Sequence, residues 1–231
     1  MIGIMGAMTI ELNEILKFMT IEETYENNGL PMYKGTIEGK EVVVALSGVG
    51  AVKSAMMMTQ LLERFDLDCF INIGTAGGLQ EVEEELDVII SDKVVKYDFD
   101  FEVVYNIPLG FTDKNPYIFQ TDKKLQDLAK QVMENLSDSR VFVGNIVSGD
   151  KFICKEEDVN FIKTHYASAY CGDMEAACIA QVCDFYKVPF VIIRSLSDIV
   201  LKEGNEMSFE TYAQLASARS AMFVKEVVKA L

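Results

Sequence analysis

The chain has 231 residues, half of them hydrophobic, and a formal net charge of −15. That length and apolar fraction suffice for one substantial core and predict a single domain over residues 1–231. The acidic excess opposes nucleic acid as a partner, because phosphate backbones are held by clustered Lys and Arg, and leaves a small neutral or cationic ligand compatible.

The N-terminus, MIGIMGAMTIEL, has no basic n-region, carries Glu11 early, and has too short an apolar run for a signal peptide or membrane span. A cytoplasmic protein with no membrane partner is predicted. Short apolar runs follow along the chain: IGIM at 2–5, VVVAL at 42–46, CFINI at 69–73, DVIIS at 87–91, VFVGNIVS at 141–148 and PFVIIRS at 189–195. Residues 9–19, 51–65, 121–136, 155–166, 175–187 and 208–229 show apolar positions three and four apart, the helical period. Continuous apolar strands alternating with amphipathic helices predict a three-layer α/β/α domain around a mixed, mainly parallel sheet.

Two segments stand apart. The acidic stretch Glu81-Val82-Glu83-Glu84-Glu85 reads as a solvated loop. Residues 97–119, YDFDFEVVYNIPLGFTDKNPYIF, are aromatic and aperiodic, and read as a long ordered loop serving as a lid or interface. Such a surface needs covering, which favours a homo-oligomer. The five cysteines show no CxxC pairing and read as buried structural thiols. His165 is the sole histidine, which excludes a multi-histidine metal site. Its surroundings read as an exposed helix end.

In open α/β sheets ligands bind beyond the carboxyl ends of the strands, so the residues following each apolar run are the candidates. Gly6-Ala7-Met8 and Glu11 come first; Glu11 either complements a helix dipole or holds a water. Ser47-Gly48-Val49-Gly50 and Gly74-Thr75-Ala76-Gly77-Gly78 read as tight turns that let backbone approach a ligand, yet neither matches a phosphate fingerprint and neither contains a basic residue. Phe152 in Ser148-Gly149-Asp150-Lys151-Phe152-Ile153 is either core or a platform for a planar heterocycle, with the Ile153 backbone on its edge. Glu175 in Asp173-Met174-Glu175 is either dipole-stabilised or an acceptor for sugar hydroxyls, and Asp198 is either a cap or a proton donor. Three carboxylates at the strand ends of one sheet favour the chemical readings together.

Taken in order, these motifs with Arg194-Ser195-Leu196-Ser197-Asp198 span almost the whole chain and closely resemble the 5′-methylthioadenosine/S-adenosylhomocysteine nucleosidases of the purine nucleoside phosphorylase superfamily. The resemblance implies a nucleoside phosphorylase-like fold and hydrolysis of the N-glycosidic bond in methionine salvage and methyl-cycle detoxification. Asp198 would protonate adenine N7, Ser197 would position that carboxyl, and Glu11 would activate water with Arg194 and Thr75 nearby. Glu175 would hold the ribose hydroxyls, Met174 would pack on the ribose, and Phe152 with Ile153 would take adenine. Met8 and Val49 would line the ribose and 5′ region, and Ala76, Gly77 and Asp173 would complete the substrate site. No metal or organic cofactor is implied, and a homodimer is, with the neighbouring subunit helping to close the 5′ pocket.

This sequence departs from the family at Thr75, where serine is usual, and at Tyr97-Asp98-Phe99-Asp100, where a histidine-aspartate pair is common. In the following loop Tyr105, Ile107 and Pro108 stand as candidates for the 5′ lid. A phosphorylase, a futalosine-type nucleosidase and a non-catalytic nucleoside binder are the rival readings.

Overall fold

The computed structural model describes residues 1–26, 29–100, 118–136, 140–200 and 205–231, with the backbone alone at 205–210. In chain order the strands are β1 (Ile2–Gly6), β2 (Met19–Tyr25), β3 (Met32–Ile37), β4 (Lys40–Leu46), β5 (Cys69–Gly78), β6 (Val88–Lys96), β7 (Ile118–Gln120), β8 (Val141–Ser148), β9 (Ala169–Asp173) and β10 (Phe190–Ile199). The helices are α1 (Thr9–Leu16), α2 (Ala51–Arg64), α3 (Lys123–Leu136), α4 (Glu156–His165), α5 (Ala176–Tyr186) and α6 (Asn205–Ala230).

The apolar runs become strands buried on both faces. Val42, Val43, Val44 and Ala45 are fully buried, as is most of β10. Each Ile or Val so placed contributes about 1.5–3 kcal/mol relative to exposure. The strands form one mixed sheet in the order β2-β3-β4-β1-β5-β9-β8-β6-β10, with β7 on β6 and a further parallel pairing of β10 with β5. The second pairing closes β5, β9, β8, β6 and β10 into a ring, so the ends of β5, β9 and β10 converge. Parallel pairs join β1 to β4 and β5, β10 to β5, and β8 to β6 and β9.

Helices cover both faces, as the alternating pattern implied. One core cluster joins the sheet to α1, α3 and α6 through Leu12, Ile15, Met133 and Phe223. A second joins it to α2 and α5 through Met57, Met58, Leu61 and Ile179. A smaller third cluster lies under α4, around Val159 and Ile162. Among the described residues no helix is long and apolar enough to cross a membrane.

The structure corrects several local expectations. Strands β2, β3 and β9 lack the long apolar runs that marked the others; β2 is largely exposed and carries Glu23, paired across the register with Lys34 at 3.0 Å. Charges of this kind protect a sheet edge. Residues 74–78 are the last turnless part of β5, and Arg194 to Asp198 lie within β10, so the expected post-strand loops are strand. The segment read as a loop from residue 97 contains the buried Tyr97 at its start and β7 at its end. Glu83, read as solvated, is 1% exposed.

All five cysteines are unpaired, and four are buried. Burial pushes the Cys69 and Cys178 thiols up to about 11. His165 ends α4 on the surface, with Nδ1 2.8 Å from the Phe161 carbonyl.

Candidate active site

The sheet brings the ends of β1, β5, β9 and β10 to one cavity of about 170 Å³. Glu11 reaches it from the first turn of α1. Its Oε2 accepts the N–H groups of Ala7 (2.7 Å) and Met8 (2.9 Å), and its Oε1 accepts that of Thr75 on β5 (3.1 Å). The carboxylate therefore caps its own helix and bridges to the sheet; the helix-dipole and water-holding readings are compatible. A Cβ at Gly74 would stand 2.9 Å from Glu11 Oε1, which is why this strand position is glycine.

Asp198 owes its direction to an irregularity. The parallel pairing of β10 with β5 runs regularly to Leu196 opposite Ala76, then slips so that Asp198 opposes Gly77 and Ser197 is extra. Leu196 and Ile199 consequently pack into the same core cluster although three residues apart, an alternation a regular strand forbids. The bulge turns Asp198 away from that cluster. Its carboxyl receives the Ser197 hydroxyl proton at 2.8 Å, and a Cβ at Gly77 would meet its Oδ2 at 3.1 Å. Asp198 is 1% exposed.

Arg194 is fully buried and committed. Its Nε and Nη2 donate to Asp173 Oδ2 at 2.9 and 2.6 Å, Nη2 donates to Asn72 Oδ1 at 2.6 Å, and Nη1 donates to the Ile193 carbonyl at 3.1 Å. Asp173 also accepts the Ser148 hydroxyl and the Ala176 N–H at the start of α5. Glu175, at the N-cap of α5, accepts the Gly50 N–H at 2.8 Å; Gly50 opens α2 with φ 100°, a conformation that favours glycine.

Four carboxylates thus line one cavity with a single cation among its described residues. Burial pushes Glu11 above its ordinary value, against the pull of the Met8 amide, Arg194 and the Ala7 and Thr75 amides. Burial, reinforced by the charge of Asp173, pushes Glu175 up to about 7. An environment this acidic favours positive charge developing on a ligand.

The cavity brings together Met8, Glu11, Val49, Thr75, Ala76, Gly77, Phe152, Asp173, Met174, Glu175, Arg194, Ser197 and Asp198. Phe152 and Val49 are half exposed at its mouth. Ile153 does not line the cavity with its side chain, which is buried in the third core cluster, against Gly172. Sequence reasoning passed over Ile73 and Gly172 as lining residues and Asn72 as the partner of Arg194; all three sit inside strands, where no motif marked them. Tyr105, Ile107 and Pro108 lie outside the described residues.

The chain matches the family model of the phosphorylase superfamily over residues 1–229. The 5′-methylthioadenosine/S-adenosylhomocysteine nucleosidase of Tolumonas auensis is 36% identical over 230 residues, covering 100% of this chain and 99% of the relative. The nucleosidase of the same name from Neisseria meningitidis, solved with methylthio-immucillin-A, has a TM-score of 0.94 at 34% identity, covering 100% of this chain and 99% of that one. The futalosine hydrolase of Helicobacter pylori has a TM-score of 0.92 at 31% identity, covering 100% of this chain and 97% of that one. By sequence and by fold, the chain belongs to the phosphorylase superfamily and, within it, to the 5′-methylthioadenosine/S-adenosylhomocysteine nucleosidases.

Proposed function

We propose that this protein hydrolyses the N-glycosidic bond of 5′-methylthioadenosine and S-adenosylhomocysteine, with Asp198 as general acid and Glu11 as the base for water. Asp198 gives its proton to N7 of adenine as the C1′–N9 bond breaks. The oxygen of water bonds to C1′ and its proton passes to Glu11. Acid and base catalysis of this kind each supply about 10²–10⁴-fold, across an oxocarbenium-like transition state that the surrounding carboxylates favour. Glu175 holds the ribose hydroxyls, Met174, Met8 and Val49 pack the sugar and its 5′ substituent, Phe152 stacks on adenine, and the Ile153 backbone meets its edge. Thr75 keeps the hydroxyl of the usual serine.

The observation that carries hydrolysis over phosphorolysis is the engagement of Arg194. A phosphate nucleophile calls for free cationic donors, and the one cation lining the described cavity is already held by Asp173, Asn72 and the Ile193 carbonyl. Adenine release from methylthioadenosine, adenosylhomocysteine, 5′-deoxyadenosine and a futalosine-type nucleoside, with and without phosphate, tests the reading. Release in phosphate-free buffer with free sugar as product is expected; stoichiometric sugar 1-phosphate overturns it.

The continuity of the sheet supports residues 1–231 acting as one nucleosidase domain, and the unpaired cysteines support a reducing, cytoplasmic setting. A homodimer accompanies this reading. Val49, Val52 and Met56 expose an apolar stripe on and before α2, beginning at the cavity mouth. A second copy covering it would stand beside the cavity mouth, where a neighbouring subunit could help to close the 5′ pocket. Light scattering is expected to give twice the mass of the chain; a monomer at assay concentration contradicts the dimer.

A further inference from the structure

The acidic connection between β5 and β6 forms a strap anchored against β10 at its far end by Leu86 and Asp87 and at its start by Gly78, the last residue of β5, on either side of Asp198. On one side the Leu86 N–H donates to the Leu196 carbonyl at 2.7 Å and the Leu196 N–H to the Asp87 carbonyl at 2.9 Å. On the other, the Val200 N–H donates to the Gly78 carbonyl at 3.0 Å. The Ser197 bulge and Asp198 lie between these anchors. Leu86 takes a left-handed backbone, φ 72°, and its carbonyl accepts from Arg219 on α6 at 3.0 Å.

Glu83 sits inside this strap. Its Oε2 accepts the Gln80 N–H at 2.9 Å, while the Gln80 carbonyl accepts the Glu83 N–H at 3.2 Å. Its Oε1 is buried with no hydrogen-bond partner. A Cβ at Gly78 would lie 2.8 Å from Glu83 Oε2, 2.7 Å from Ile199 and 2.9 Å from Leu196. The carboxyl, the end of β5 and the residues flanking the bulge therefore form one packed contact. Burying a carboxyl with an oxygen left unpaired is costly, and an aliphatic side chain would fill the space without that cost.

We infer that Glu83 is a positioning residue for the reaction, holding the strap closed on the β10 bulge and so fixing the direction in which Asp198 presents its proton. The inference rests on Asp198 being the acid. Burial pushes the Glu83 carboxyl up to about 7, against the backbone N–H groups of Gln80 and Leu79. The charged and titratable groups facing it are Asp87 at the end of its own loop, which adds to the rise, Arg140 before β8, which opposes it, and the Cys171 thiol on β9, itself held protonated by burial. Below about 7 the carboxyl is neutral and the strap is closed. Above it, charge on an oxygen without a donor favours opening towards water.

Adenine release by wild type, Glu83→Leu, Glu83→Gln and Asp198→Asn, followed from about pH 5.5 to about pH 9, tests this. Glu83→Leu, which cannot accept the Gln80 N–H, is expected to lower kcat about ten-fold with KM within about two-fold, since small misplacements of a reacting group cost rate more than binding. Glu83→Gln keeps the shape and the acceptor but cannot ionise. It is expected to retain kcat at the acid end and to lose the decline that wild type shows through neutrality. An unchanged kcat in Glu83→Leu, or a wild-type pH profile in Glu83→Gln, overturns the inference. Should Glu83→Leu fail to fold, the Glu83→Gln profile decides by the same criterion. Retention of kcat in Asp198→Asn overturns the acid assignment itself, so the two failures are told apart.

Discussion

Asp198→Asn is expected to lower kcat for adenine release by about 10³-fold while KM for methylthioadenosine changes by less than about ten-fold. Asparagine fills the same space beside Gly77 and still accepts the Ser197 hydroxyl, so the bulge has no reason to rearrange. What it lacks is a proton to leave with the base. Expelling adenine as an anion is the difficult part of the reaction, and protonation at N7 makes the leaving group neutral. The loss should therefore fall on the chemical step, and single-turnover kinetics would separate it from binding. A variant with near-normal turnover would move the acid elsewhere, with Glu175, pushed up to about 7, next in line.

The second large effect concerns stability. Asp173→Ala is expected to cost about 3–5 kcal/mol, because it leaves the guanidinium of Arg194 buried without its counter-charge. Both side chains are 2% exposed and joined at 2.6 Å, and Asp173 also ties Ser148 and the first amide of α5 to the site. Urea unfolding measures the loss directly. A double variant, Asp173→Ala with Arg194→Leu, should recover part of it, since removing both charges also removes the desolvation penalty. A fall of less than about 1 kcal/mol in the single variant would show that the pair is stabilised chiefly by other donors, Asn72 among them.

These two results bear on one design. Among its described residues the cavity holds more acid than base, and the single cation there, Arg194, is consumed in neutralising Asp173. Glu11 is held by three backbone amides, and Asp198 accepts the Ser197 hydroxyl. Acid and base therefore differ in hydrogen bonding although both are buried, and differing surroundings are what set two carboxyl groups to different tasks.

Much of this was legible in the chain itself. The continuous apolar runs and helical periods specify a layered α/β domain, because a strand covered on both faces must be apolar throughout and a covering helix on one stripe only. The order of motifs from Gly6-Ala7-Met8 to Asp198 identified most of the lining of the cavity. Other features depended on tertiary contact. The strand character of residues 74–78 was hidden because Gly74 and Gly77 read as turn glycines; they are glycines because Glu11 at the first, and Val200 with Asp198 at the second, come too close for a Cβ. The bulge at Ser197, the commitment of Arg194 to Asn72 and Asp173, and the burial of Glu83 are set by pairings between residues far apart in sequence. Local sequence determines which elements form and which chemical groups they carry. Only the closed ring of strands decides where those groups point and which charges meet, because direction and neutralisation are properties of the packed whole.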